Sequence, residues 1–237
     1  MTTPADALVA RLCVADVPRD EVDTLACELL GLVSGGARVE AVRPLLTSDV
    51  AQARRAGAFV LSELGAAALP VLPDAVGLLA GDSRLLRYYV LDALHGAAGA
   101  LTAALVVPAL PLLSDDEEVL REKVMSLLVP LSDDVVAALP TALPDALDTG
   151  LRADLAWFAA ATRAEVEATL LAGPARAGAP SRRDALAAVA AAVRMAGEWD
   201  GAWSALAASG AEELERFGDE QKQIAGRLRR REVVPAG

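Results

Sequence analysis

The sequence predicts an all-α fold, a right-handed α-solenoid of about seven antiparallel helix pairs. Apolar residues make up 54% of the 237 residues, whereas aromatic residues make up only 3%. A core of Ala, Leu and Val suits close-packed helices better than a β-sandwich or barrel, whose strands favour β-branched and aromatic residues. The second observation is a motif that recurs along the middle of the chain, and the third is the set of prolines that precede its copies.

The recurring motif is an Asp followed five residues later by an Arg that stands directly after an apolar residue. Its members are Asp49, Arg54, Asp82, Arg87, Asp116, Arg121 and, in a copy one residue shorter, Asp148 and Arg152. The Arg positions advance by 33, 34 and 31 residues. After Arg87, apolar residues follow at three, four and seven residues, which is one face of a helix. Each copy therefore predicts a first helix, a turn carrying the Asp, and a second helix that the Asp caps.

The stretches before each Asp are apolar and contain the prolines at 44, 70, 73, 108, 111, 140 and 144. A proline near the start of a helix is tolerated, because its missing N–H has no partner there. A proline deeper in the helix removes a hydrogen bond and is expected to bend it. The prolines therefore predict distorted first helices.

This pattern resembles the HEAT-repeat family, including its bacterial short-repeat form, in which an Asp lies in the turn and a Val-Arg pair opens the second helix. The resemblance implies that the eight Asp and Arg residues form a structural ladder between neighbouring repeats. It covers residues 39–161, with the Val replaced in every copy. We expect residues 1–172 to form the solenoid, 173–181 a flexible linker, and 182–237 helical pairs that cap the same solenoid.

The net charge of the chain indicates which class of partner it would bind. Twenty-two basic and 33 acidic residues give a net charge of −11. An acidic chain repels phosphate backbones, which disfavours nucleic-acid binding, and it favours a basic protein or peptide. Cys13 and Cys27 belong to no CxxC pair, so we expect two small buried side chains in a protein of the reducing cytoplasm.

An uncharged run at residues 93–113, apart from His95, is long enough to raise the possibility of a membrane span. Gly96, Gly99, Pro108 and Pro111 interrupt it, and the repeat register places a turn in its middle. We expect two consecutive buried helices and no membrane contact.

The second helices of a solenoid line its concave face, where a partner would bind. The outward positions on these helices are Arg55, Phe59, Tyr88, Asp92, Glu122, Ser126 and Trp157. Phe59 and Trp157 occupy equivalent places, five residues after the motif Arg. An exposed aromatic in a groove is a candidate anchor for a partner. The alternative is that each aromatic packs against a neighbouring helix.

Catalytic and cofactor motifs are missing from the sequence. With His95 as the sole histidine, the chain offers no catalytic triad pattern and no metal site with two His, and the Gly-rich stretch at 31–36 has no P-loop Lys. We therefore expect no cofactor and no metal. The acidic runs at 115–118 and 133–134 are typical of solvated turns that cap helices.

One cluster is enzyme-like: Trp199, Asp200 and Trp203. In composition it resembles the aromatic and carboxylate groups in the groove of the HEAT-like alkylpurine DNA glycosylases. Those enzymes need a basic groove, and this chain is acidic, so docking of the terminal helix pair is the competing interpretation. Our leading hypothesis is a non-catalytic binding scaffold, for instance an immunity- or antitoxin-like inhibitor of a basic partner. The alternative is a HEAT-like enzyme such as a glycosylase or lyase.

Overall fold

The protein is all-helical throughout the part that a computed structural model describes, residues 3–144, 148–172, 180–194 and 200–232. The chain divides into two compact units, residues 1–110 (unit 1) and 111–237 (unit 2). The predicted linker at 173–181 falls within unit 2, and most of it, residues 173–179, lies outside the described residues. The predicted division of the chain at this linker stays a prediction.

Unit 1 contains three long helices that pack side by side. Its α-helices are α1 (Pro4–Leu12), α2 (Arg19–Ser34), α3 (Arg43–Leu46), α4 (Ala51–Ser62), α5 (Leu72–Ala75), α6 (Arg84–Gly96) and α7 (Ala103–Val106). Helix α4 packs against α2 on one side and against α6 on the other. These three helices therefore form one continuous layer.

In three of the four copies the first helix is short and irregular, as the prolines predict, whereas in the fourth copy it is a continuous α-helix of ten residues, Asp133–Ala142, with Pro140 inside it. Helices α3, α5 and α7 have four residues each, and 3₁₀ segments flank them. Pro70 lies inside the 3₁₀ segment Gly65–Val71, and Pro111 lies inside Val107–Ser114. A proline cannot donate the backbone hydrogen bond of an α-helix, so the chain tightens into 3₁₀ turns at these places.

The apolar run at 93–113 is broken into short pieces. It covers the end of α6, the 3₁₀ segment Ala98–Ala100, helix α7 and most of the 3₁₀ segment Val107–Ser114. Among the described residues, no helix is both long enough and apolar enough to cross a membrane.

Unit 2 is built around an Ala-rich helix. Its helices are α8 (Glu118–Leu128), α9 (Asp133–Ala142), α10 (Thr149–Ala160), α11 (Arg163–Ala172), α12 (Arg182–Arg194), α13 (Asp200–Ala207) and α14 (Glu212–Glu232). Residues 185–192 of α12 are all buried, and α12 packs against α8, α10, α11, α13 and α14. A helix buried on all sides must be apolar all round, and alanine lets five neighbours approach it closely.

The motif Arg makes the same contact in two of the copies. Arg54 donates from Nη1 to the carbonyl of Ser48, and Arg121 donates from Nη1 to the carbonyl of Asp115, each at 2.6 Å. Both acceptors lie six residues before the Arg. Arg152, in the shorter copy, reaches the carbonyls of Pro140 and Leu143 instead. These bonds tie the second helix to the turn before it, and the ladder between repeats stays a prediction.

The predicted Asp cap is correct only in the fourth copy, where Asp148 is the N-cap of α10 and accepts from the Gly150 N–H at 2.8 Å. In the other three copies, the Asp stands one residue too early. The N-caps there are Val50, Ser83 and Glu117. The extra residue in these turns moves the Asp off the helix end, and side chains of other turn residues take over: Ser48 accepts from the Val50 N–H, and Asp115 accepts from the Glu117 N–H.

Candidate binding face

The exposed side of the α2, α4 and α6 layer forms a face with two clefts. The first cleft has a volume of about 270 Å³ and is called the aromatic cleft. Its lining residues are Arg19, Asp23, Ala26 and Cys27 of α2, Arg55, Ala56 and Phe59 of α4, and Leu85 and Tyr89 of α6. The α2–α4–α6 face therefore includes two residues that the sequence predicts as partner contacts, Arg55 and Phe59.

Aromatic rings form the wall of this cleft. The Phe59 and Tyr89 rings meet edge to face with centroids 5.7 Å apart, and Tyr88 meets Tyr89 in the same way at 6.2 Å. All three side chains are half-buried. Beside them, Leu85 is exposed by 39%, one of four large apolar residues exposed in the described part of the chain. Edge-to-face is a preferred arrangement of aromatic rings, and the half-buried rings keep apolar surface available to a ligand.

Two arginines and one carboxylate border the aromatic cleft. Arg55 donates from Nη2 to Asp23 Oδ1 at 2.6 Å, which ties α4 to α2. The Asp23 side chain is still 65% exposed. Arg19, in the first turn of α2, is exposed. The cleft thus joins an apolar floor to a rim with a net positive charge.

The second cleft, of about 390 Å³, is called the arginine cleft and lies at the N-terminal ends of the same helices. Its lining residues are Arg19, Ala51, Gln52, Arg54, Arg55, Ser83 and Leu86. Gln52 donates to the carbonyls of Val14 and Ala15 and so fixes the loop between α1 and α2. No residue that lines this cleft is acidic, which gives it the opposite charge to the chain as a whole.

In unit 2, the position equivalent to Arg55 contacts another helix. Counted from the motif Arg, Glu122 of α8 corresponds to Arg55, and Ser126 corresponds to Phe59. Arg216 of α14 donates from Nε to Glu122 at 2.8 Å and also pairs with Glu118. Burial raises the pKa of the Glu122 carboxyl, and the nearby carboxylates of Glu213 and Glu220 act in the same direction. Glu122 therefore contacts α14 within its own unit.

Trp157 of α10 also has an intramolecular partner. The guanidinium of Arg183, in α12, lies 4.0 Å from the Trp157 ring centroid, which is a cation–π contact. Asp154 pairs with Arg183 at 3.5 Å and with Arg182 at 3.6 Å. The ring is half-buried. Its environment favours the packing interpretation over the role of partner anchor.

The remaining predicted residues are spread over the molecule. Asp92 and Ser126 are half-buried, and His95 is exposed in the last turn of α6. In the enzyme-like cluster, Trp203 is half-buried, whereas Trp199 and the side chain of Asp200 lie outside what the structure describes. The catalytic alternative stays a prediction. Among the described residues, no group of three His, Cys, Asp or Glu side chains could hold a metal ion.

The cysteine prediction needs a correction. Cys13 is half-buried and Cys27 is exposed, so neither is the buried side chain that we expected. Ala26 of α2 faces the core at 2% exposure, and the next residue is turned by about 100° around the helix. That rotation brings Cys27 to the wall of the aromatic cleft.

No family model and no curated protein matches the sequence. One solved structure with a similar backbone is the crystal structure of an engineered protein, which shares 16% identity over 94% of this chain and 89% of that chain, with a TM-score of 0.45. Similarity at this level carries no inference about function.

Proposed function

We propose that this chain is a non-catalytic binding module that holds a protein or peptide on the α2–α4–α6 face. The aromatic cleft is the observation that carries the proposal. Aromatic and Arg side chains contribute most of the binding energy at protein interfaces, and here Phe59, Tyr89 and Arg55 meet around exposed Leu85. The cleft volume of about 270 Å³ lies just below the range of roughly 300–1,000 Å³ typical of small-molecule sites. It suits one side chain of a larger partner.

The proposal includes a HEAT-like architecture, a right-handed solenoid of about seven helix pairs. Support comes from the shared contact of Arg54 and Arg121, each of which bonds to a carbonyl six residues earlier at 2.6 Å. A repeated contact at a repeated sequence position is what stacked copies of one helical unit would produce.

The charge expected of the partner depends on the residues that line the clefts as well as on the net charge of the chain. The net charge of −11 predicts a basic partner, such as the enzyme target of an immunity-like inhibitor. The arginine cleft, however, is lined by Arg19, Arg54 and Arg55 without an acidic residue. Charges at an interface select partners locally, so this face favours an acidic segment. A basic partner would bind to another part of the surface.

The test is affinity capture with cross-linking from the native host, run in parallel with the unaltered chain and with Phe59→Ala. Loss of an aromatic anchor is expected to weaken capture at least about tenfold. Leu171→Ala is the matched control, since Leu171 is 63% exposed in unit 2 and its truncation removes apolar surface elsewhere. Circular dichroism checks that both variants stay helical.

A second measurement avoids any change in the aromatic ring. Cys27 is exposed on the cleft wall. In a Cys13→Ala variant, a bulky maleimide reagent can react with Cys27 alone. The attached group is expected to prevent the partner from binding. Capture that survives both Phe59→Ala and the labelled Cys27 would contradict the proposal, as would the absence of any specific partner.

A further inference from the structure

In unit 2, helix α14 covers the motif residue Arg121. Arg121 keeps its bond to the turn and also donates from Nε and Nη2 to the two carboxylate oxygens of Glu213, at 3.1 and 2.5 Å. Both side chains are only 7% exposed. One residue on, Glu122 accepts from Arg216 of α14. A helix thus docks here through a carboxylate on the motif Arg and an opposite charge on the next residue.

Unit 1 presents the same donor without that cover. Arg54 has the same bond to its turn, and within the described part of the chain this bond to Ser48 is the one hydrogen bond that it makes. Its guanidinium lines the arginine cleft together with Arg19 and Arg55. Arg55 stands where α8 has Glu122, so the charge at this second position is reversed. Its Nη2 pairs with Asp23 at 2.6 Å, and this is the one hydrogen bond that Arg55 makes to a described residue, so Nε and Nη1 can still donate to a further carboxylate. The face is therefore complementary to a helix that carries acid at both positions.

We propose that the α2–α4–α6 face binds an acidic amphipathic helix of a partner protein. One carboxylate of that helix binds Arg54, as Glu213 binds Arg121 in unit 2. A second carboxylate, three residues later, binds Arg55 at the position where α14 has Arg216. An apolar side chain on the same side of the helix enters the aromatic cleft. The inference rests on the proposed function, because it names the class of partner that this face would hold.

The geometry of α14 specifies the recognition pattern. Glu213, Arg216 and Phe217 are spaced by three and four residues, so they lie on one side of their helix. The pattern expected for unit 1 is acidic, two variable residues, acidic, apolar. Helix α14 of a second copy fits it poorly, since its Arg216 would face Arg55 and its Glu213 is already buried against Arg121.

The experiment uses two synthetic peptides of sequence 211–224, one unchanged and one with Arg216→Glu, each held helical by a side-chain cross-link and labelled with a fluorophore. Binding to the full chain is followed by fluorescence anisotropy. The Arg216→Glu peptide is expected to bind roughly tenfold more tightly than the unchanged one, because an attraction to Arg55 replaces a repulsion. In the Arg55→Glu variant of the protein, which reproduces the charge of Glu122, the order of the two peptides reverses.

Two controls separate this pattern from general charge attraction. Arg38→Gln removes one positive charge from unit 1 at a side chain that is 85% exposed in the Arg38–Glu40 pair, and it should leave the affinities unchanged. A scrambled peptide of the same composition as the Arg216→Glu peptide should bind more weakly. Circular dichroism of each protein variant confirms that its helical content is retained.

The inference is overturned if neither peptide binds, if the two bind equally, if the scrambled peptide binds as well as the ordered one, or if Arg55→Glu leaves the order unchanged. Failure here is distinguishable from failure of the proposed function. A native partner that is captured by the unaltered chain and lost with Phe59→Ala would keep the binding module and remove only the acidic helix.

Discussion

Arg54 in unit 1 and Arg121 in unit 2 hold the same place in the repeat and bond to the same kind of turn carbonyl at the same distance. Their surroundings differ. Arg121 is sealed by Glu213 and is 7% exposed, whereas Arg54 is half-buried at the edge of an open cleft. The recurring motif fixes the position of the Arg. Whether its remaining N–H groups have a partner depends on a helix outside the motif, which for Arg121 is α14.

The residue after each motif Arg extends this difference. In α8 it is Glu122, which pairs with Arg216, and in α4 it is Arg55, which pairs with Asp23 of the neighbouring α2. The pair in α4 uses a carboxylate of the same layer, so it forms without a further helix. An ion pair within the layer leaves its surface accessible, and an ion pair to α14 closes it.

The largest effect is expected from Glu213→Ala, which leaves the buried Arg121 guanidinium without its carboxylate. Breaking a buried ion pair from one side costs roughly 3–5 kcal/mol, because an uncompensated charge stays buried. The free energy of unfolding, measured in urea by circular dichroism, should fall by that amount. Glu212→Ala, at the exposed preceding residue, is the control and should change it by no more than about 0.5 kcal/mol.

If the two variants lost the same free energy of unfolding, the buried Glu213 would stabilise the fold no more than the exposed Glu212 does. Arg121 and Arg54 would then differ in burial, but the carboxylate on Arg121 would add no stability. Because the chain has two compact units, the urea curve is followed at several wavelengths to detect separate transitions.

Much of the second-helix framework could be predicted from the sequence. The Asp-to-Arg spacing located the starts of α4, α6, α8 and α10 to within three residues, since a fixed motif at the turn marks each helix start. The prolines correctly predicted distorted first helices in three copies, but Pro140 lies inside the continuous helix α9. They could not indicate where α-helical and 3₁₀ turns alternate, because that choice depends on packing against the next repeat.

The site was predicted in part. Arg55 and Phe59 follow from the repeat register, but Arg19, Asp23 and Cys27 do not, because α2 carries no copy of the motif and could not be aligned. Tyr89 was passed over in favour of its neighbour Tyr88. Tyr89, the aromatic two residues after the motif Arg87, was therefore the signal that could have located this wall of the cleft.

No sequence pattern near α8 predicted that α14 would pack on it. Arg216 lies 94 residues after Glu122, and no periodicity links them. Acidic residues in the first turn of α14 complement the dipole of their own helix, which requires no partner. Contacts between such distant residues depend on how the chain packs, and one sequence does not contain that information in a readable form.

A smaller effect tests how tightly the layer of unit 1 is supported. A Cβ at Gly57 of α4 would lie 2.8 Å from Leu45 Cβ in α3, so Gly57→Ala forces two helices apart. Overpacking of this kind costs about 1–3 kcal/mol, and the melting temperature should fall accordingly. Gly31 of α2 has nothing within 4 Å of an added Cβ, so Gly31→Ala should stabilise the helix by about 0.5–1 kcal/mol. The absence of a loss at Gly57 would contradict the close approach of α3 and α4, and a loss at Gly31 would contradict the open space around that residue.

The smallest effect is a pH dependence that compares the turns of the two units. In unit 2, the Arg182 side chain and then the Gly150 N–H hold the pKa of Asp148 below its ordinary value of 3.8. A carboxyl with a lowered folded-state pKa stabilises the fold above its unfolded pKa, and this contribution is lost as pH falls through the folded value. The difference in melting temperature between the unaltered chain and Asp148→Asn should therefore be constant near neutral pH and shrink below about pH 3.8.

Asp49 is the counterpart in unit 1. It stands one residue before the N-cap of α4, and its side chain makes no hydrogen bond to any described residue. Asp49→Asn should leave the melting temperature at neutral pH unchanged, because no cap is removed. If the two variants behaved alike at every pH, the contacts of Asp148 with Arg182 and with the Gly150 N–H would contribute nothing. The turns would then be equivalent, and the contrast between the units would reduce to the helix that covers Arg121.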